Sequence, residues 1–355
     1  VRKFGDIPLS TVEIISKEQA EELAFRQKEK VIYDQIVKDL TEALASDLPD
    51  TQHDYAVGRT SKAAVNAILG QVYLTMGSTM AENKQANFQK AEQYLTASYG
   101  LRKFGKLTEI PYSDVFDVNQ KSTCKELIFQ VQYLAGDQTY SSSIARNYQA
   151  RGVSINTQFK STGSGEVVKL DLVKDYEDKD VRKDFSVKFA KSPQVNDYFV
   201  TKFRDVSTAA GTTGWGGNDW ILIRYADVML LLAETKMNLG KNAEAITLLN
   251  EVRSRAGLPS YQDAMKQADY ASKYPSLKEA ILHERRAELA FENHRWFDLV
   301  RNYNAQELVN YFKKKSQDDY GNAKLSNIST KDRYYPIPFD EYKLNPEKMY
   351  QNPGY

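Results

Sequence analysis

The chain has 355 residues, and its 48 basic and 47 acidic side chains give a formal net charge of +1. Nucleic-acid binding requires a concentrated excess of basic residues, so this near-neutral balance argues against a nucleic-acid partner. The mean hydropathy is −0.58, and the longest apolar run, Val228–Ala233, is far below the ~20 residues that span a bilayer. The sequence therefore predicts a folded globular chain without a membrane-spanning helix.

The composition is rich in tyrosine and poor in the residues of nucleophilic and metal chemistry. There are 23 tyrosines but only 3 histidines and 1 cysteine, Cys124, which cannot form an internal disulfide. A tyrosine ring supplies contact area while its hydroxyl supplies a hydrogen bond, which suits a contact surface. The composition thus favours a binding protein over an enzyme.

The N-terminal part of the chain has helical periodicity. Apolar residues between Gln27 and Leu44 recur every three or four positions, which predicts an amphipathic helix that ends before Pro49. Ser61 is the predicted N-cap of a second helix, and a third helix carries Phe88 and Leu95. We therefore expect residues 27–100 to form packed helices.

The second and third helices have counterparts later in the chain. Five positions match at identical spacing, namely Ala63, Ala67, Gly70, Leu74 and Gly77 with Ala226, Leu230, Ala233, Met237 and Gly240. In the helix that follows each of these, Ala91 and Leu95 match Ala245 and Leu249. This pattern is typical of the helix–turn–helix unit of tetratricopeptide repeats, which is about 34 residues long. Small residues also favour ordinary antiparallel helix pairs, so that alternative stays open.

Residues 101–220 have a different composition, rich in Gly, Ser, Thr, Asn and aromatic residues. Short strands are predicted at residues 126–133 and 198–203, and a short helix at residues 166–176. Disordered segments rarely keep many aromatic residues, so we expect ordered loops on a helical frame. The predicted fold class is mainly α, with tetratricopeptide-like helical hairpins, a loop-rich ligand-binding half and a few short strands.

The final third returns to helix. Ser276 and Glu279 form a capping box, and a single long helix is predicted from there to about Asn302. The proline-containing residues 303–355 are predicted to form an extended tail.

Two groups in this long helix resemble catalytic or metal motifs. His283 would need a second histidine four residues later to form a zincin helix, but that position is Ala287. Glu284, Glu288 and Glu292 share one helix face, as the two carboxylates of a glycoside hydrolase could. Interleaved arginines would lower the pKa of these carboxyl groups, which is wrong for a general acid. A buried charge network is therefore favoured over hydrolysis, and we predict no catalytic residue, no metal site and no cofactor.

The loop Trp215–Trp220, with the sequence WGGNDW, is the most suggestive segment for binding. Glycines let a ligand approach the backbone, an indole stacks on a sugar ring, and Asn or Asp bonds sugar hydroxyls. Trp220 could instead fill a gap against the next helix, and this interpretation is slightly favoured for it. The predicted ligand-binding residues, within loops 135–165 and 205–220, are Tyr140, Asn147, Tyr148, Arg151, Trp215 and Asn218. Because most such contacts are uncharged, we expect weak and salt-insensitive binding.

Several sequence blocks in a fixed order resemble the SusD/RagB family. The clearest are RYADVMLLLAE at 224–234, NEVRSRAGLP at 250–259, ERRAELAFE at 284–292 with DLVR at 298–301, and the tail blocks YPIP at 335–338 and QNPGY at 351–355. Weaker matches are FGDIPL at 4–9 and DVR at 180–182. The resemblance covers nearly the whole chain.

The resemblance implies one SusD-like domain over residues 1–355, with helices at 27–100 and 221–302, ligand-binding loops at 101–220 and a tail at 303–355. Members of this family are non-catalytic, surface-exposed outer-membrane lipoproteins of Bacteroidetes-type bacteria. They bind oligosaccharides or peptides and pass them to a SusC-like TonB-dependent transporter. We expect a glycan as the ligand here, with a RagB-like peptide ligand as the alternative and a glycoside hydrolase as a distant one. The lipidated cysteine and first helices of the family are expected to be missing from this chain, and membrane attachment would be through that anchor alone.

Overall fold

The computed structural model of the protein describes residues 1–52, 58–160, 165–321 and 325–355. The chain divides into two compact units. The smaller unit comprises Val1–Ala45, Trp296–Asp318 and Asn322–Tyr355, and the larger comprises Ser46–Arg295 with Asp319–Gly321. The division into a single domain with four segments stays a prediction.

Helices dominate both units. In chain order, the elements of the first half are α1 (Lys17–Leu23), α2 (Glu29–Ala45), α3 (Lys62–Thr79), α4 (Lys84–Gly100), β1 (Leu127–Val131), α5 (Ile144–Tyr148), α6 (Leu170–Val173), α7 (Val181–Ser186), β2 (Val187–Ser192) and β3 (Val195–Val200). Those of the second half are α8 (Thr208–Thr213), β4 (Trp220–Arg224), α9 (Tyr225–Asn238), α10 (Asn242–Arg255), α11 (Tyr261–Ala264), α12 (Ala268–Lys273), α13 (Leu277–Glu288), α14 (Arg295–Asn302), α15 (Ala305–Lys313), α16 (Gln317–Tyr320) and α17 (Phe339–Tyr342). The predicted mainly helical fold class is confirmed. Within the described ranges, no helix has both the length and the apolar character needed to cross a membrane.

The helices α3 and α4 form the first predicted hairpin. Ser61 caps α3 by accepting a hydrogen bond from the backbone N–H of Ala64 at 3.3 Å. A Cβ added at Gly70 would lie 2.4 Å from Cγ of Leu95, and one at Gly77 would lie 2.8 Å from the Phe88 ring. The glycines therefore let the two helices approach at a distance that an alanine would prevent.

The helices α9 and α10 form the second predicted hairpin, and α9 also packs against α4 and α13. The residues of α9 from Tyr225 to Thr235 are all buried, which makes this helix the centre of the main apolar core of the larger unit. Ala245 and Leu249 of α10, the counterparts of Ala91 and Leu95, are fully buried. Both hairpins place their small residues where the sequence repeat predicts.

The loop-rich region contains two small antiparallel sheets. The strands β1 and β4 pair with two shifts of register, and β2 pairs with β3 in continuous register. The strand predictions at 126–133 and 198–203 were correct in kind, although β3 begins earlier. The prediction of a helix over residues 166–176 was wrong in length, since α6 covers Leu170–Val173 only.

The prediction of one helix from Ser276 to Asn302 was also wrong. Ser276 caps α13 as expected, but the helix ends at Glu288 and α14 begins at Arg295. Phe291 and Asn293 have positive φ angles of 68° and 64° in the break. The ammonium of Lys202 donates to the backbone oxygens of Glu288 at 3.2 Å and Ala290 at 2.9 Å. These oxygens bond the buried lysine instead of continuing a helix.

In the smaller unit, Arg26 links the beginning and the end of the chain. Its guanidinium donates to the backbone oxygens of Phe4, Asp6 and Tyr350, and to the side-chain oxygen of Asn352 at 2.7 Å. The sequence predicted an extended tail over residues 303–355, but α15, α16 and α17 are helical segments within that range.

Candidate ligand-binding site

The glycine-rich loop between α8 and β4 is fixed by hydrogen bonds to its own backbone. The carboxylate of Asp205 accepts from the N–H of Ser207 at 3.0 Å and from that of Gly217 at 2.7 Å. The amide of Asn218 donates to the backbone oxygen of Arg204 at 2.9 Å. The loop conformation is thus set by short polar side chains before any ligand binds.

An ion pair holds the same loop from its other side. The Lys121 ammonium lies 2.9 Å from Oδ1 of Asp219 and also donates to the backbone oxygen of Gly217 at 2.9 Å. The same Asp219 oxygen accepts from the N–H of Tyr133 at 2.8 Å. Burial raises the pKa of Asp219, although the lysine and the backbone N–H oppose that shift. The pair joins the glycine-rich loop to the end of β1.

The segment that follows β1 is attached to the glycine-rich loop through the backbone. The N–H of Gly136 donates to the Trp215 oxygen at 2.8 Å, and Ser142 and Gly216 exchange two backbone hydrogen bonds at 2.7 and 2.8 Å. The N–H of Leu134 donates to the Tyr140 oxygen at 2.7 Å. This arrangement brings the predicted residues Tyr140 and Trp215 onto adjoining segments.

The Trp215 side chain is half-buried, and its ring is packed against a cation. The guanidinium carbon of Arg146, on α5, lies 4.4 Å from the centroid of the Trp215 indole and 5.9 Å from the centroid of the Phe159 ring. Gly214 has a φ of +76°, and a Cβ there would lie 3.0 Å from both Arg146 and Phe159. A glycine at this position therefore allows the arginine to lie against Trp215.

Three other predicted residues face solvent. The Tyr140 side chain is 67% exposed, and Asn147 and Arg151 are also exposed. The Asn147 amide donates to Oγ of Ser143 at 2.9 Å. All three have accessible polar atoms that a ligand could contact.

The remaining predicted residues point inward. Tyr148 stacks on Phe203 with ring centroids 5.9 Å apart, and burial raises the pKa of its phenol. Trp220 also stacks on Phe203, with ring centroids 6.1 Å apart, so its interpretation as a packing residue is confirmed. Asn218 is only 4% exposed. Asn218 and Tyr148 are thus placed to support the loops from within.

A cavity of about 290 Å³ lies elsewhere in the larger unit, beside the start of α3 and β1. Its lining includes Ser61, Cys124 and Tyr225 but none of the six predicted residues. Burial raises the pKa of the Cys124 thiol to about 11 and raises the pKa of the Tyr225 phenol well above its ordinary value, so both groups stay protonated at neutral pH. Neither group is activated as a nucleophile or base.

The glutamates on one face of the last predicted long helix form a buried charge network. Glu288 is fully buried and accepts from Arg182 at 3.0 Å, from Arg224 at 2.5 Å and from Arg255. Burial raises its pKa, but the three guanidiniums outweigh burial and hold the pKa well below the usual range. Glu292 has a pKa lowered to about 2 by Arg224 and Lys202 against the effect of burial. The predicted network is confirmed.

His283 belongs to a second buried cluster. Its ring stacks on Tyr274 with centroids 4.0 Å apart, and Nε2 lies 3.2 Å from a carboxylate oxygen of Glu177. Burial lowers the pKa of His283, but Asp175 and Glu177 outweigh it and raise the pKa overall. Across the described ranges, His, Cys, Asp and Glu side chains do not come together in a group of three that could hold a metal ion.

The fold and the site define a class of protein: a helical-hairpin scaffold that carries ordered, aromatic loops. Comparisons with known proteins agree. A family model described as the SusD family matches residues 187–355. The SusD-like protein P2 of Formosa agariphila is 29% identical, over 100% of this chain and 71% of its own length.

Solved structures match over the whole chain. A SusD superfamily protein from Parabacteroides distasonis superposes with a TM-score of 0.77 at 25% identity, covering 100% of this chain and 75% of that one. A laminarin-binding SusD-like protein gives a TM-score of 0.72 at 26% identity, with coverage of 100% and 75%. The resemblance seen in the sequence is confirmed: the SusD family model matches the C-terminal part of the chain, and the chain is similar over its whole length to SusD-like proteins.

Arg146 is the residue of this site that the sequence analysis missed. It lies directly before the predicted residues Asn147 and Tyr148, but no motif or spacing in this segment indicates that its guanidinium packs on Trp215. The contact with Trp215 joins residues far apart in the chain, whose segments are brought together by the backbone hydrogen bonds of Gly136 with Trp215 and of Ser142 with Gly216.

Proposed function

We propose that the protein is a non-catalytic glycan-binding protein of the cell surface, anchored to the outer membrane as a lipoprotein. In this proposal it passes oligosaccharides to a SusC-like TonB-dependent transporter. The observation that carries it is the placement of the exposed Tyr140 and the half-buried Trp215 on adjoining, backbone-bonded loops. Aromatic rings beside polar groups suit a sugar, which has an apolar face and a rim of hydroxyls.

The ligand-binding residues we propose fall into two groups. Tyr140, Asn147, Arg151 and Trp215 would contact the sugar, since their side chains are wholly or partly accessible. Tyr148 and Asn218 would hold the loops in the binding conformation. The laminarin-binding relative supports a glycan ligand in general terms.

The charge network supports the non-catalytic part of the proposal. A glycosidase needs one carboxylic acid that is protonated near neutral pH. The pKa of Glu288 is lowered and its carboxylate is fully buried among arginines. Such a group neither donates a proton at neutral pH nor reaches a substrate.

Isothermal titration calorimetry against a panel of soluble glycans tests the proposal. We expect binding of at least one glycan, and Trp215→Ala should lower the affinity about tenfold or more. Stacking of one ligand ring on an aromatic side chain contributes on the order of 1–3 kcal/mol. Phe339→Ala is the matched control, because this ring is 73% exposed but lies in the tail. Heat from a peptide mixture and none from any glycan would favour the peptide alternative. Reducing-sugar release by the purified protein would contradict a non-catalytic role.

A further inference from the structure

The guanidinium of Arg146 is held in position by its packing. Its carbon lies 4.4 Å from the Trp215 centroid and 5.9 Å from the Phe159 centroid. Its stem passes beside Gly214, where a Cβ would come within 3.0 Å of Cδ. An arginine fixed by stacking loses less side-chain entropy when it binds a partner than an arginine free in solvent does.

The charge of Arg146 is not neutralised within the protein. In the described part of the chain, no carboxylate lies in an ion pair with it, and its side chain remains half-exposed. The acids of the adjoining loops bond other groups. Asp137 accepts from the N–H groups of Thr139 and Tyr140, Asp205 from those of Ser207 and Gly217, and Asp219 pairs with Lys121.

We propose that the glycan bound at this site carries a negative charge, as a carboxylate or a sulfate ester, and that Arg146 selects it. The inference rests on the proposed function and adds the chemical class of the ligand. A guanidinium presents a planar fork of N–H donors that matches two oxygens of a carboxylate or sulfate. The anionic group of a sugar that contacts Trp215 would then meet a cation already placed beside that ring.

The alternative for Arg146 is a purely structural role, in which it covers one face of the indole. The two roles differ in what they predict for the ligand. A covering arginine is indifferent to ligand charge, and its replacement would change the binding of neutral and anionic glycans equally. A selecting arginine makes anionic binding salt-dependent, because screening weakens partly exposed charge pairs. The proposal therefore predicts salt-dependent binding, whereas the sequence predicted salt-insensitive binding.

The experiment measures the dissociation constants of oligosaccharides from laminarin, which are neutral, from polygalacturonate, which carry carboxylates, and from κ-carrageenan, which carry sulfate esters. The variants are Arg146→Gln and Arg146→Lys, with Lys90→Gln as the control for the loss of one exposed positive charge on α4. Thermal unfolding followed by circular dichroism establishes that each variant is folded.

We expect one anionic oligosaccharide to bind at least tenfold more tightly than laminarin oligosaccharides at low salt. Arg146→Gln should weaken that binding about ten- to a hundredfold, as expected for a charged hydrogen bond. The affinity of Arg146→Lys should lie between those of the parent protein and Arg146→Gln, because lysine keeps the charge but not the planar fork of donors. Lys90→Gln should not change the affinity. Whichever anionic probe binds identifies carboxylate or sulfate as the group.

Two results would overturn the proposal. Laminarin oligosaccharides that bind as tightly as both anionic probes, with Trp215→Ala abolishing the binding, would disprove charge selection and leave the glycan-binding function intact. An anionic preference that survives Arg146→Gln would assign the selection to another cation. Binding of none of the three probes would count against both the anionic ligand and the glycan-binding function.

Discussion

Trp215 and Asn218 lie three residues apart on one loop, and their surroundings require different roles. Trp215 is half-buried beside Arg146, where a ligand can reach part of its ring. The Asn218 amide instead donates to the Arg204 backbone oxygen from a position only 4% exposed. A residue of the second kind affects binding through the loop that it supports.

The variant Asn218→Ala separates these roles. Loss of the hydrogen bond to Arg204 leaves a partly buried backbone oxygen without this donor, which should lower the free energy of unfolding by about 1–3 kcal/mol. Thermal unfolding measures this effect. Glycan affinity, measured well below the melting temperature, should fall much less than for Trp215→Ala. An unchanged melting temperature with abolished binding would instead make Asn218 a direct ligand contact.

The residue types of the site could be predicted from the sequence, but their orientations could not. Aromatic residues and Asn in a glycine-rich segment indicate a recognition loop whatever its exact shape. A loop has no periodicity, so nothing in the sequence distinguishes the exposed Tyr140 from the inward Tyr148. Those orientations depend on contacts with Phe203 and with the strands, which join distant segments.

At the scale of elements, the hairpins were predictable because their determinants are local. Apolar spacing, the Ser61 and Ser276 caps and the small residues at helix contacts all lie within one helix or the next. The pairing of β1 with β4 and the break after α13 were not predicted. The break depends on Lys202, from another part of the chain, and places non-glycine residues at positive φ.

The variant Gly70→Ala tests the close approach of α3 and α4. The added Cβ would lie 2.4 Å from Cγ and 3.1 Å from the backbone N of Leu95, so one helix must shift. Overpacking of this kind costs about 1–3 kcal/mol, which urea unfolding can measure. Gly100→Ala is the matched control on α4, because a Cβ there meets nothing within 4 Å. It should be neutral or stabilising by up to ~1 kcal/mol. Equal stabilities for the two variants would contradict the role assigned to Gly70.

In the larger unit, ion pairs between buried side chains connect elements that lie far apart in the chain. Arg224, at the end of β4, pairs with Glu126, which precedes β1. It also pairs with Glu288 at the end of α13 and with Glu292 in the break that follows α13. Arg182 of α7 reaches Glu284 and Glu288 of α13. Removal of one partner from such a network leaves an uncompensated buried charge, which typically costs 3–5 kcal/mol. The network therefore fixes the loop region to the helical scaffold.

This network predicts how stability depends on pH. The pKa of Glu292 is lowered from 4.5 to about 2, so its contribution of about 3 kcal/mol is present above pH 4.5 and is lost as the pH falls towards 2. The pKa of His283 is raised above 6.5, so its contribution is complete below that value and is lost as the pH rises through the raised pKa. The free energy of unfolding should therefore be highest between about pH 4.5 and 6.5.

The variant Glu292→Gln isolates the acidic limb of this profile. It removes the titrating group, so the variant should be less stable than the parent protein at pH 6 by about 3–5 kcal/mol. The difference should shrink steadily between pH 4.5 and 2, where Glu292 becomes protonated in the parent protein as well. Urea unfolding at a series of pH values measures both curves, and Glu82→Gln, at an exposed carboxylate, should follow the parent throughout. A difference that stays constant down to pH 2 would mean that Glu292 is not held ionised by Arg224 and Lys202, and the network would then not explain the attachment of the loops.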